Sequence, residues 1–235
     1  MKPGCQPGAA RQVLGERGTL DVLRHGIELL GLKTPLTLAQ FKPALAINSD
    51  ILTRYGANRL RVIRQVRYSL HSEKCIDLVL FLNGIAVATV ELKTDFTQSV
   101  QDAVDQYRFD RQPVEKGKKP EPLLAFPGAA LVHFAVSDRE VMMAARLDGP
   151  ATRFLPFNKG DGGAAGNPVN PTGHRTAYLW EEIWARDSWR GRQSMASTVT
   201  CPRSAVSACC TAPSVSLSMW AVASSSSRMR GWPAS

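Results

Sequence analysis

The chain has 235 residues, a formal net charge of +9 and 44% hydrophobic residues, enough to bury one domain of ordinary to large size. No apolar run is long enough to span a bilayer, the N-terminus lacks a signal-peptide core, and the five cysteines form no Cys-x-x-Cys pair. A membrane anchor, a disulfide framework and a zinc site are therefore not expected, and the cytoplasm is the default location. The positive charge points only weakly to nucleic acid. Arg190, Arg192, Arg203, Arg228 and Arg230 carry five of the charges with no acid among them, leaving +4 for the first 188 residues.

In chain order, Met1 to Gly18 is spotted with Gly and Pro and reads as a frayed, flexible N-terminus. Thr19 is a suitable cap for a helix over Leu20 to Leu30, with Leu20, Leu23, Ile27 and Leu30 on one face and Gly31 as its stop. Thr37 to Ala46 suggests a short second helix interrupted at Pro43. Arg59 to Leu70 reads as a strand whose Arg59, Arg61, Arg64 and Arg67 form either a solvated face or one turned to DNA.

Residues 72 to 93 hold two apolar, β-branched runs around Asn83-Gly84, a strong hairpin signal. Asp77, Glu91 and Lys93 lie within these runs, where an unpartnered charge would be costly to bury. Converging carboxylates could share a divalent cation, with the lysine meeting a phosphate. Side-chain alternation puts Glu91 and Lys93 on one face, but the face of Asp77 depends on the turn. A two-residue loop in regular register turns Asp77 away from Glu91. A three-residue loop, or a bulge further along, restores the match, and one of these is expected. The plainer reading is a salt bridge of Lys93 with either acid.

Thr97 to Arg111 is the clearest helix, with Val100, Ala103, Val104 and Tyr107 at helical spacing and Pro113 as its end. Glu115 to Glu121 reads as a solvated loop. Ala130 to Val136 and Glu140 to Leu147 read as strands, Phe154 to Pro171 as a long loop, and Ala177 to Trp189 as an amphipathic helix. The glycines from Gly160 to Gly166 lack the Gly-Lys-Ser/Thr of a nucleotide-binding loop. His25, His71, His133 and His174 are scattered singly and read as structural. Gly191 to Ser235 contains no Lys, Asp or Glu and no periodicity, and reads as a disordered, out-of-frame tail or as a genuine Arg/Ser tail that binds nucleic acid.

The run Ile76 to Gly84 through Glu91-Leu92-Lys93 resembles the nuclease core of the R subunit of type I restriction–modification enzymes. Arg54 to Asn58, Asp105 to Arg108, Val132 to Ser137, Phe154 to Gly160, Gly166 to Pro168 and Tyr178 to Glu182 fit that family in the same order. The similarity extends from about Leu20 to Trp189, so residues 19–190 are expected to form the nuclease domain between the terminal segments 1–18 and 191–235.

The resemblance implies an α/β fold, a mixed sheet flanked by helices with a PD-(D/E)xK (restriction endonuclease-like) core. It implies magnesium on Asp77 and Glu91, with Lys93 polarising the attacked phosphate. Double-stranded DNA would be the substrate, and the modification and specificity subunits the partners. The family's ATP-driven motor lies beyond its nuclease domain, and no ATP site is expected here. Related nucleases carry a glutamine with a tyrosine four residues later. In this chain Gln106 matches the glutamine, Asp110 stands at the later position and Tyr107 is adjacent, so Gln106 and Tyr107 are the candidates for DNA contact. A catalytically idle docking or DNA-binding remnant is the other reading.

Overall fold

The structure is a computed structural model, and it describes residues 7–185 apart from 30, 31, 44, 70, 71 and 116. The expected tail from residue 191 and the expected helix stop at Gly31 lie outside the described residues.

The framework is a mixed six-stranded sheet in the order β1-β2-β3-β4-β5-β6. Its strands are β1 (Leu60–Arg67), β2 (Cys75–Leu82), β3 (Ile85–Leu92), β4 (Val132–Val136), β5 (Val141–Ala144) and β6 (Leu155–Pro156). All neighbours are antiparallel except β3 and β4, which run parallel. A parallel pair needs a crossover. Here it contains helix α4 (Val100–Asp105) and a π-helical turn at Gln106–Asp110.

Each face of the sheet has its own apolar layer. On one side Val79, Ala135 and Ala144 pack with Ala103, Val104 and Tyr107 of the crossover. On the other, Leu80, Val90 and Phe134 pack with Leu23, Leu179 and Trp184. The central strands are nearly continuous apolar runs because both faces are covered. This is the expected α/β architecture with a restriction endonuclease-like core.

Several elements differ from expectation. Within the segment expected to fray, Pro7–Arg17 forms helix α1. Helix α2 (Thr19–His25) ends five residues before Leu30. Gly26 adopts φ 75°, and a Cβ there would lie 2.5 Å from the Leu36 carbonyl oxygen. The chain turns back at that point, and Ile27 pairs with Leu36.

No helix forms in the described part of Thr37 to Ala46. Helix α3 (Ser49–Gly56) follows instead, capped by Asn48, whose side chain accepts from the Asp50 and Ile51 amides. The crossover helix begins at Val100 rather than Thr97. There the Asp102 carboxylate accepts from the Ser99 amide and hydroxyl, which holds its pKa below the usual value. The segment after Ala177 forms a π-helical turn at Leu179–Ile183, and its expected continuation past residue 185 lies outside the described residues. Among the described residues no helix is long and apolar enough to cross a membrane.

Candidate active site

The β2–β3 hairpin decides which charged side chains meet. Its turn has two residues, Asn83 at φ 51° and Gly84 at φ 89°, the left-handed pair of a type I′ turn. The Asn83 side chain accepts from the Arg59 amide and donates to the Leu38 carbonyl and Asn58, tying the turn to the start of β1. Leu82 pairs with Ile85 and Phe81 with Ala86, but Leu80 pairs with Ala88. Val87 is thus an extra residue in β3. This bulge shifts the remaining pairs, Val79 with Thr89 and Leu78 with Val90. Continued by one residue, the register places Asp77 across from Glu91. The expected odd-length loop is absent, and the expected alternative, a bulge beyond the turn, supplies the match.

Asp77 is half-buried and held from two sides. Its Oδ2 accepts from the Leu92 amide at 2.8 Å, and its Oδ1 from Gln65 Nε2 at 3.1 Å. Glu91 is fully buried under the crossover. Its Oε1 accepts from Arg111 Nε at 2.8 Å, while Oε2 is buried and has no hydrogen-bond partner among the described residues. Arg111 is anchored by donating to the Cys75 carbonyl at 2.8 Å, and its guanidinium lies 5.8 Å from the centre of the Tyr68 ring. Burial pushes the Glu91 carboxyl up to about 8 against the pull of Arg111, and the adjacent Asp77 adds to the rise.

Lys93 follows directly on β3, and its amide donates to the Val136 carbonyl. The side chain is half-buried, and its amine has no hydrogen bond or ion pair among the described residues. Its charge reaches Asp102 at the start of α4. Neither carboxylate of the hairpin is therefore bridged to Lys93, as the salt-bridge reading would have it.

The two residues singled out for DNA contact have different settings. Tyr107 is fully buried. Its hydroxyl hydrogen-bonds Thr89 Oγ1 at 2.8 Å, and its ring packs near His133 and Phe154. This corrects the expectation: Tyr107 is a packing residue with no surface to offer DNA. Its helical spacing with Val100, Ala103 and Val104 already carried that signal. Gln106 is half-buried, and its Oε1 is a buried acceptor without a partner among the described residues.

The four arginines of the β1 segment are exposed on the edge strand, Arg67 paired with Glu73. An open cleft past Lys93 is lined by Asp95, Ser99, Arg139, Glu140, Asp161 and Arg175, a mixture of both signs that excludes the Asp77–Glu91 pair. Sequence reasoning missed Arg111 and Gln65, because one reads as the last residue of a packing helix and the other as part of a plain strand.

The acid pair suits a hard cation in part. Two carboxylates and a buried, unpartnered Glu91 oxygen are the donors magnesium prefers. Among the described residues no group of three or more His, Cys, Asp or Glu side chains converges, so further ligands would have to be water or phosphate oxygens.

Residues 47–152 match the family described as "Type I restriction enzyme R protein N terminus". No curated protein and no solved structure matches the chain significantly. The matched stretch runs from α3 to the end of the β5 region and contains Asp77, Glu91, Lys93 and Arg111. The fold is consistent with the PD-(D/E)xK nuclease superfamily. Over residues 47–152 this chain is similar to the N-terminal domain of the type I restriction enzyme R protein family.

Proposed function

We propose that this domain carries out magnesium-dependent endonucleolytic hydrolysis of double-stranded DNA phosphodiesters, as the nuclease part of an R subunit. The observation that carries this reading is the Val87 bulge. It sets Asp77 across from Glu91, two residues before Lys93, in a position that a regular hairpin would not give.

Asp77 and Glu91 would hold the magnesium ion, which when bound neutralises phosphate charge and makes a water more acidic. Asp77, gripped at both oxygens, is positioned without its own side-chain entropy to spend. Arg111 holds one Glu91 oxygen and leaves the other for the cation. Lys93, free of ion pairs among the described residues, adds a positive charge where a phosphate oxygen would lie. Gln106, with an unpartnered carbonyl oxygen, is a candidate to hold water or a nucleotide at the edge of the site. The modification and specificity subunits are the proposed partners, and segment 19–190 the proposed extent of the domain.

A second reading, a docking module without catalysis, draws on Arg111. A guanidinium already balances Glu91, and no third acid joins the pair among the described residues. A nicking assay on supercoiled DNA separates the two. The nuclease reading expects magnesium-dependent nicking by the wild-type chain that is lost in Asp77→Ala and Lys93→Ala. Nicking that survives in both variants would assign the activity elsewhere, and DNA or subunit binding without nicking would favour the docking module.

A further inference from the structure

The β1–β2 ladder breaks beside the acid pair. Arg64 pairs with Leu78 and Val66 with Ile76, but the intervening Gln65 and Asp77 do not appear as a regular pair. Leu78 faces the layer of Leu80 and Val90, whereas Ile76 faces that of Val79 and Tyr107, so the strand changes face around Asp77. Gln65 stands at this break with φ 50°. A left-handed conformation is unfavourable for a residue with a long side chain, and Gly or Asn would adopt it more readily. Strain of this kind persists where the surrounding structure holds it, and it gathers at functional sites. What this backbone presents is one hydrogen bond, from Gln65 Nε2 to Asp77 Oδ1 at 3.1 Å.

We infer that Gln65 is a positioning residue for the cation site. It donates to the outer oxygen of Asp77 while the Leu92 amide holds the inner one, and so aims the carboxylate at the space shared with Glu91. The inference rests on the reading of Asp77 as a cation ligand. A second donor on a ligating carboxylate fixes its orientation, and loss of such a donor lowers metal affinity by about 10- to 100-fold. A neutral amide suits this place, because it orients the acid without cancelling the charge that attracts the cation.

Glycine separates this role from a structural one. Gln65→Gly removes the donor and relieves the left-handed strain, so a purely structural residue would leave metal affinity unchanged. The test is calorimetric titration of the full chain with manganese(II), beside urea unfolding of each variant. The wild type is expected to bind and Asp77→Ala to lose binding. Gln65→Gly is expected to bind at least about tenfold more weakly, with a urea midpoint equal to or above the wild type. Should Gln65→Gly fail to fold, Gln65→Asn decides, since Asn tolerates the conformation but is too short to reach Asp77. Affinity within twofold of wild type in the folded variant, with Asp77→Ala still defective, would overturn the role of Gln65 alone. No binding by the wild type would remove the cation site itself, and this inference with it.

Discussion

Replacing Arg111 with methionine removes a charge whose value depends on whether Glu91 is ionised. Arg111 donates to Glu91 Oε1 and to the Cys75 carbonyl, both at 2.8 Å, and its side chain is 9% exposed. Removing one partner of a buried ion pair costs about 3–5 kcal/mol, because the other charge is stranded. Glu91 can escape that cost by taking up a proton.

Its folded pKa of about 8 lies above the unfolded 4.5, so its contribution to stability falls as pH rises between those values. Without Arg111 the carboxyl would titrate higher still, and the fall would continue beyond the wild-type limit. At about pH 5.5 Glu91 is neutral in both proteins, and the variant should lose only about 1–2 kcal/mol, chiefly the bond to the Cys75 carbonyl. At about pH 9, one unit above the wild-type value, the loss should grow by about 1.4 kcal/mol, to about 2–3 kcal/mol. Urea unfolding at both pH values measures the difference, and in a Glu91→Gln background the pH dependence of the Arg111→Met loss should vanish. A loss that is equal at both pH values, or greater in acid, would refute the account of Glu91 as a buried carboxyl held by this guanidinium.

Other expected outcomes follow from single contacts. Burial depresses the His133 imidazole to about 3, so the unfolded chain takes up its proton first and stability is lost as pH falls below about 6.5. The slope should be about 1.4 kcal/mol per pH unit down to about 3, and acid titration of His133→Asn by circular dichroism should show a flatter profile. Asn83→Ala loses three side-chain hydrogen bonds and places alanine at φ 51°, and should cost about 2–4 kcal/mol in urea unfolding. Tyr107→Phe leaves the Thr89 hydroxyl without one of its buried partners and should cost about 1–2 kcal/mol, with DNA binding by fluorescence anisotropy unchanged. A selective loss of DNA affinity in that variant would restore Tyr107 to the DNA-binding surface.

Local pattern made the hairpin and the crossover helix readable and singled out Asp77 and Glu91 as charged residues in apolar strands, because alternation, Asn-Gly turns and helical spacing act over a few neighbouring residues. The same information placed Tyr107 on an apolar stripe, and the structure buries it there. It left the early end of α2 unread, since Gly26 stops that helix only through its approach to Leu36, ten residues on. Asn48 before Ser49 and Ser99 before Asp102 are cap signals present in the sequence that periodicity alone passes over.

The side of the sheet on which Asp77 falls was open from sequence, since a two-residue turn and an odd one differ by a single register step. Tertiary packing decided it. The Val87 bulge seats both Val87 and Ala88 in the core and brings Asp77 across from Glu91. Arg111 and Gln65 then reach that pair from 20 and 12 residues away along the chain. Such contacts depend on how separate segments fold against one another, and no spacing within one segment encodes them.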